Sequence, residues 1–248
     1  FRSCSNLNSV TMTQVTSVGL NAFQSCSSLS SVNMPLLRSV DVDAFRDCTS
    51  LSSIVMPMVT NVLSHGFYQC SSLVGVNMPL ATSVGDSSFD SCDSLISVNM
   101  PLLKDVEDNA FFSCTLLNNV TMPQVTSVGH AAFQSCTSIV SIDLPVITII
   151  QNNAFKLCSS LFSFNTPGHL LLPETLTFIG DSAFSQCTGL REDLIIPNSV
   201  MSVGESAFFQ CTGFFSIPVV KNLSTNVAAS AFDQCCISIP SGQPSGQP

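Results

Sequence analysis

A repeat of 22 residues is the feature that most limits how this chain can fold. Phenylalanine and cysteine return at this spacing, three residues apart from each other, as far as Cys158. Three longer units of 29, 24 and 24 residues begin at Phe155, Phe184 and Phe208. A period in this range is typical of solenoids, in which each repeat stacks on its neighbours. The 22-residue units hold Phe1, Phe23, Phe45, Phe67, Phe89, Phe111, Phe133 and Phe155, and Cys4, Cys26, Cys48, Cys70, Cys92, Cys114, Cys136 and Cys158.

Each repeat predicts a short strand that ends at a proline. In the recurring pattern Val-x-Met-Pro, side chains should alternate across the strand, so Val32 and Met34 face inward and Asn33 faces outward. Pro35 lacks the N–H that a sheet ladder needs, and the strand should therefore end there. A second extended piece follows in each coil, as at residues 125–128.

The Ala-Phe-x-x-Cys segment of each repeat, with apolar residues three apart, fits a single helical or 3₁₀ turn. One coil cannot bury its own ring of Phe, Cys, Leu, Val and Met side chains, so stability must come from stacking. If parallel strands stack at about 4.8 Å, about eleven coils make a rod or shallow arc on the order of 50 Å long.

The repeat resembles the BspA-like, or Treponema-type, leucine-rich repeat. The shared signature is a small residue followed by Phe-x-x-Cys-x-x-Leu-x-x-Val/Ile-x-Leu/Met-Pro, and residues 170–184 are especially similar to the bacterial form. The resemblance implies a leucine-rich-repeat solenoid of about eleven stacked coils over residues 1–240. In this family such arrays occur on secreted and surface proteins, where adhesion and binding of host or matrix proteins are the usual roles. The resemblance thus implies an extracellular or cell-surface location.

Irregular units are confined to the later part of the chain. The unit that begins at Phe155 has seven additional residues, which predict a loop over residues 165–169. The segments 215–218 and 237–240 come early in their repeats, as expected of atypical terminal coils. Residues 241–248 are two copies of Ser-Gly-Gln-Pro and are predicted to form a flexible low-complexity linker after the solenoid domain.

The composition excludes two classes of partner. Charged residues make up 9% of the chain, against about 25% in an average soluble protein. The net charge of −9 argues against binding to nucleic acid or to an anionic membrane surface. Mean hydropathy is positive at +0.43, but Pro, Ser or Asn interrupts each apolar stretch well before the ~20 residues that a membrane helix requires.

Twelve cysteines raise the possibility of disulfides or metal binding. No Cys-x-x-Cys pair is present, and such pairs are typical of zinc and redox sites. Stacked coils would place cysteines about 4.8 Å apart, beyond the Cβ separation of roughly 3.5 to 4.5 Å in disulfides. We therefore predict an inward ladder of unpaired thiols. Cys236, beside Cys235, lies outside the register.

Candidates for catalysis are sparse. His65 and His130 belong to different coils, His169 lies in the inserted segment, and none is part of a triad or metal-site pattern. The acidic cluster 105–108 could bind Ca²⁺, but such a site needs six or more oxygen ligands, so a solvated turn is favoured. We predict no enzyme activity, no catalytic or metal-binding residue and no cofactor.

The outward strand positions form a polar, nearly uncharged face without the aromatic anchors that tight interfaces usually contain. A plain solvated face remains an alternative to a binding site, and the regular array would suit weak multivalent contacts, glycan hydroxyls or ordered water. Sequons at Asn119 and Asn222 are candidates for N-glycosylation. A glycan on Asn119 would occupy this face. The candidate binding residues are Ser31, Asn33, Asn77, Ser97, Asn99 and Thr121.

Two functional hypotheses follow. The first is an extracellular interaction or adhesion module that binds proteins or glycans of a cell surface or matrix. The alternative is a structural subunit that self-assembles into a filament or wall through the ends of the solenoid, since an exposed coil end offers unpaired strand edges.

Overall fold

The computed structural model describes residues 1–166, 169–191, 193–214, 216, 218–222 and 224–235. The predicted linker at 241–248, Cys236 and the early segment 237–240 lie outside the described residues.

The chain forms a parallel β-solenoid in which each regular coil contributes two short strands, as the leucine-rich-repeat interpretation predicted. The first strand of each coil lies in the Val-x-Met segment. These strands are β1 (Ser9–Thr11), β3 (Ser31–Asn33), β5 (Ser53–Val55), β7 (Gly75–Asn77), β9 (Ser97–Asn99), β11 (Asn119–Thr121), β13 (Ser141–Asp143), β15 (Ser163–Thr166), β18 (Ile195–Ile196) and β20 (Val219–Val220), with β16 (His169–Leu170) in the insertion.

The second strand of each coil belongs to one continuous sheet. Its ten strands are parallel and follow chain order, and the paired residues are equivalents in successive coils, such as Val18 and Val40. The strands are β2 (Ser17–Val18), β4 (Ser39–Val40), β6 (Asn61–Val62), β8 (Ser83–Val84), β10 (Asp105–Val106), β12 (Ser127–Val128), β14 (Ile149–Ile150), β17 (Phe178–Ile179), β19 (Ser202–Val203) and β21 (Asn226–Val227).

The turn around Phe and Cys differs from the predicted single helical or 3₁₀ turn. Each turn from Asn21 to Gln210 has two residues of left-handed backbone four positions apart, such as Asn21 at φ 55° and Ser25 at φ 58°. The N–H groups alternate in direction: that of Cys26 donates to Phe23 O in its own coil, whereas that of Phe23 donates to Ala44 O in the next, at 2.8 Å. A helical turn directs its N–H groups to its own segment. The alternation instead extends the ladder between coils through the turn.

A continuous stack of phenylalanine rings forms the centre of the core. Ring centroids of successive coils lie 5.1–5.5 Å apart and the ring planes differ by 2–19°. The stack passes the insertion without a break, because Phe155 and Phe184 still lie 5.2 Å apart. Equivalent Leu, Val and Met side chains surround the rings and are buried.

The cysteines form a second inward ladder, as predicted. Each thiol from Cys26 to Cys211 is buried and donates to the carbonyl of a phenylalanine one coil earlier, at 2.9–3.2 Å. Burial raises the pKa of Cys48 and of Cys158 to about 12. Cysteine thus supplies a small apolar side chain that also donates a hydrogen bond to the turn of the preceding coil.

The inserted segment is an antiparallel pair rather than the predicted loop. β15 and β16 pair with a register shift between Phe164 and Asn165. The ring of Phe164 is buried and lies edge-on to Phe155 and Phe184, at 5.9 and 6.0 Å. Phe164 pairs with Ile142 of the preceding coil, so an aromatic side chain takes the place of the usual Val or Ile in the core beside the insertion.

Asn165 connects this insertion to the regular coils, and its loss should destabilise the protein. Its φ is 61°, its Oδ1 accepts the Leu144 N–H at 2.6 Å, and its Nδ2 donates to Leu171 O at 3.2 Å. Asn165→Ala should lower the free energy of unfolding by about 1–3 kcal/mol, because both backbone groups lose a partner. Urea denaturation measures this change. Asn118→Ala, at an exposed position with its backbone bond retained, is the control and should change stability by less than about 0.5 kcal/mol. Equal losses would contradict the assigned role.

Candidate functional site

The outward side of the odd-numbered strands β1–β13, here called the strand face, carries all six predicted binding residues. Asn33, Asn77, Ser97, Asn99 and Thr121 are exposed, and Ser31 is half-buried. The face is not continuous, because its strands form separate sheets, β1-β3-β5 and β7-β9-β11-β13-β15-β16. The structure therefore places Ser31 and Asn33 in one sheet and the other four residues in the next.

The break before β7 is visible in the backbone hydrogen bonds. The N–H groups of Met12, Met34, Met78 and Met122 each donate to a carbonyl of the next coil at 3.0–3.1 Å. Among the described residues, Met56 and Met100 make no such bond. The inward residues Ile54 and Val98 are half-buried, whereas their equivalents Val32, Val76 and Val120 are buried. The sheet is therefore open between β5 and β7, and between β9 and β11 only Asn119 and Ser97 are paired.

A trough of about 330 Å³ lies over β7, on the side of this opening. Gly75 is the first residue of β7, a position at which the other odd-numbered strands from β1 to β13 have serine or asparagine. A Cβ at Gly75 would meet its nearest neighbour, Ser97 Oγ, at an ordinary 3.4 Å. Neither packing nor backbone conformation requires glycine there, and its effect is to leave the trough open. The lining residues are Ile54, Gly75, Val76, Asn77, Ser97, Val98 and Asn99.

The surroundings of the trough are apolar and uncharged. Val55, Val74 and Ile96 are 47%, 47% and 48% exposed, although Val55 stands where most coils have Asn or Thr. None of the lining side chains carries a formal charge. The Asn99 Nδ2 donates to Asn77 Oδ1 at 2.7 Å, which fixes an amide pair beside the glycine. The two departures from the repeat, Val55 and Gly75, were the sequence signal for this site.

The charged and imidazole groups singled out from the sequence lie elsewhere. Asp105 Oδ1 accepts the Ser127 hydroxyl at 2.6 Å, and Asp108 Oδ1 accepts the His130 N–H at 2.6 Å, so both carboxylates bridge neighbouring coils. Burial and the nearby Asp86, Asp105 and Asp108 raise the pKa of Glu107. Within the described ranges, no three His, Cys, Asp or Glu side chains are grouped to hold a metal ion.

His65 lies on the turn side of the solenoid, with Nδ1 4.0 Å from Asp43 Oδ1 and its ring edge-on to Tyr68. His169 is in β16. His65 and His130 lie in different coils, and the structure does not bring these two side chains together. In the part of the chain that the structure describes, no helix has the length and apolar character needed to cross a membrane.

The two sequon asparagines differ in their surroundings. Asn119 is exposed in β11, and its Oδ1 accepts the Ser141 hydroxyl at 2.7 Å. The Nδ2 of Asn222 donates to Asn198 O at 3.0 Å, and its Oδ1 accepts the Ser224 N–H. Asn119 thus projects from the strand face, whereas Asn222 is held in a local turn.

Stacked parallel strands, an inward ring of Leu, Val, Phe and Cys, and the absence of a helix among the described residues define a leucine-rich-repeat solenoid. A sequence model of the BspA-type leucine-rich repeat region matches residues 1–114, 82–171 and 168–241, in six copies. The chain belongs to this family. Its fold and family are those of a protein-interaction module, and the family is generally a non-enzymatic repeat scaffold.

Two solved structures, from T. pallidum and Eubacterium ventriosum, support the same fold, and a third is also similar to the chain. The leucine-rich repeat protein TpLRR of T. pallidum is 26% identical, with 74% of this chain and 78% of that chain covered and a TM-score of 0.53. A leucine-rich repeat protein of Eubacterium ventriosum is 14% identical, with 96% and 86% covered and a TM-score of 0.58. A leucine rich cell surface protein of Faecalibacterium prausnitzii is 24% identical, with 92% and 77% covered and a TM-score of 0.45. No curated protein matches the chain.

Proposed function

We propose that this chain is an extracellular or cell-surface recognition module, of the kind used in adhesion, and that its partner binds the strand face around the trough. The main support for this proposal is the trough. It lies where the otherwise regular strand face has no side chain at Gly75 and where β5 and β7 are not joined by backbone hydrogen bonds. Departures of this kind in a repetitive scaffold are expected at functional positions.

The chemistry of the face fits a protein interface better than a solvated surface. Val55, Val74 and Ile96, exposed apolar residues next in sequence to residues that line the trough, are taken as its rim, and Ser97, Asn77 and Asn99 supply hydrogen-bonding groups in the lining. Interfaces combine an apolar centre with a polar surround in this way. The proposal includes no catalytic role and no cofactor.

Binding to immobilised cell-surface and matrix proteins, alongside a glycan array, tests the proposal. Ile96→Asp introduces a charge at the rim and should weaken binding about tenfold, which corresponds to the loss of about 1.4 kcal/mol. Leu63→Asp is the matched control, because Leu63 is 41% exposed but follows β6 on another side of the solenoid. Its binding should stay within about twofold of wild type.

Three results would oppose this function. Binding that is lost in Leu63→Asp but kept in Ile96→Asp would move the interface away from the strand face. If the protein binds none of the immobilised proteins and none of the glycans, the recognition role is contradicted. Fibres that form in proportion to concentration would favour the alternative, a structural subunit that assembles through the solenoid, whereas a dilution-stable monomer would exclude it.

A further inference from the structure

We infer that the trough takes an uncharged, extended polypeptide segment, with one aliphatic side chain seated over Gly75. This inference rests on the proposed function and names its ligand class. Ile54 and Val98, which line the trough on either side of β7, are half-buried, so aliphatic groups are accessible beside Gly75, whereas Val76 is buried. A volume of about 330 Å³ is at the lower end of ligand pockets, which suits one anchor side chain and its flanking backbone.

Charge complementarity restricts the ligand to a neutral segment. The trough lining has no formal charge, and Asp143 is the only charged residue at the outward positions of the odd-numbered strands β1 to β13, all of which the structure describes. A charged side chain placed against Ile54 and Val98 would lose hydration without gaining an opposite charge. The carboxylates that give the chain most of its negative charge lie on other sides of the coils.

The amide pair beside the trough favours a peptide backbone. Asn99 Nδ2 donates to Asn77 Oδ1, and no described residue bonds the remaining groups, the Nδ2 of Asn77 and the Oδ1 of Asn99. Both side chains are exposed. They therefore present one amide donor and one amide acceptor side by side, which complement the C=O and N–H of an extended polypeptide. A β-strand ligand uses such main-chain bonds together with alternate side chains in pockets.

A sugar fits this site less well than a peptide. The hydroxyl groups of a glycan would face Val55, Val74 and Ile96, which are the most exposed apolar side chains around the trough. Hydroxyls placed against aliphatic groups lose their hydrogen bonds to water. No aromatic ring lines the trough to stack on a sugar.

A displayed library of random short peptides, selected on the wild-type protein, tests the inference. Enriched peptides should share one Leu, Ile, Val or Met flanked by uncharged residues. Gly75→Leu fills the trough and should weaken binding of these peptides at least about tenfold. Ser17→Leu, at an exposed outward position of β2 and away from the strand face, is the matched control and should bind as wild type does. Gly75→Ser restores the side chain usual at this position and should weaken binding by a smaller factor in a protein that folds normally.

The outcomes separate this inference from the proposed function. A charged consensus, or binding that is unaffected by Gly75→Leu and Gly75→Ser but lost in Ile96→Asp, would overturn the anchor and leave the strand face as the interface. Glycan binding without any enriched peptide would overturn the polypeptide ligand. Peptides that bind all strand-face variants equally would overturn both proposals.

Discussion

Raising the pH of a reduced sample above about 9 should unfold the protein, because its ladder of buried thiols holds protons that the unfolded chain releases. Burial raises the pKa of each thiol above its ordinary value of 9.0, to about 12 for Cys48 and Cys158. Below pH 9 both states keep these protons, and stability does not depend on them. Between pH 9 and the folded-state pKa only the unfolded state loses protons, so the free energy of unfolding falls as pH rises. The other buried thiols with raised pKa are Cys26, Cys70, Cys92, Cys114, Cys136, Cys187 and Cys211.

The expected slope is steep because the thiols act together. One proton contributes about 1.4 kcal/mol per pH unit, so the nine thiols contribute about 12 kcal/mol per pH unit in this window. That is comparable with the whole stability of a domain, about 5–15 kcal/mol. Circular dichroism across this pH range, with a reductant present, should therefore show unfolding within about one to two pH units above 9.

A paired variant isolates the contribution of the ladder. Replacing Cys92 and Cys114 by serine keeps a donor for the carbonyls of Phe67 and Phe89, while removing two groups that titrate in this range. The slope of unfolding free energy against pH should decrease by about two protons. An unchanged slope, or a wild-type protein equally stable at pH 8 and pH 11, would contradict the account.

The sequence was sufficient for the fold because every coil repeats the same core chemistry. Phe23 and Cys26 recur at equivalent positions, and side chains that recur at one position must stack when coils stack. The turn conformation was harder to predict. The left-handed positions are held by Asn21, His65 and Leu157, among others, so no glycine column marks them. Hydrogen bonds between coils impose this conformation, and the sequence of a single repeat does not reveal those bonds.

The candidate site was predicted only in part. Comparison of equivalent positions in successive repeats correctly placed Asn77 and Asn99 on the outward face, because side chains alternate in direction along a strand. The same comparison treated all coils as equivalent. It missed that Val55 and Gly75, in neighbouring coils, interrupt the series of polar residues on the outward face. The opening between β5 and β7 depends on backbone pairing across coils, and the insertion at Asn165 depends on a side chain that replaces a backbone acceptor. Local secondary-structure propensity predicts neither of these two features.

Phe111→Ala should lower the free energy of unfolding by about 3–5 kcal/mol, since it removes a large ring from the middle of the stack. Phe111 is fully buried, and its ring lies 5.4 Å from Phe89 and 5.2 Å from Phe133. In a solenoid each coil is stabilised through its nearest neighbours, so this cavity weakens two coil interfaces at once. Urea denaturation gives the loss, and hydrogen exchange should show faster opening in the coils of Phe89 and Phe133 than in that of Phe23.

The next residue provides a control with the same side chain. Phe112 follows Phe111 directly but is half-buried at the surface of the turn, and its backbone bonds to Asn109 and Ser91 remain after truncation. Phe112→Ala should therefore cost less than about 1 kcal/mol, because little apolar area is lost from the core. If the two substitutions cost the same, stability would come from the total apolar content of the coil. A large difference would show that stability depends on the position of the ring in the stack. That position is set by the 22-residue period, which places each phenylalanine above the preceding one.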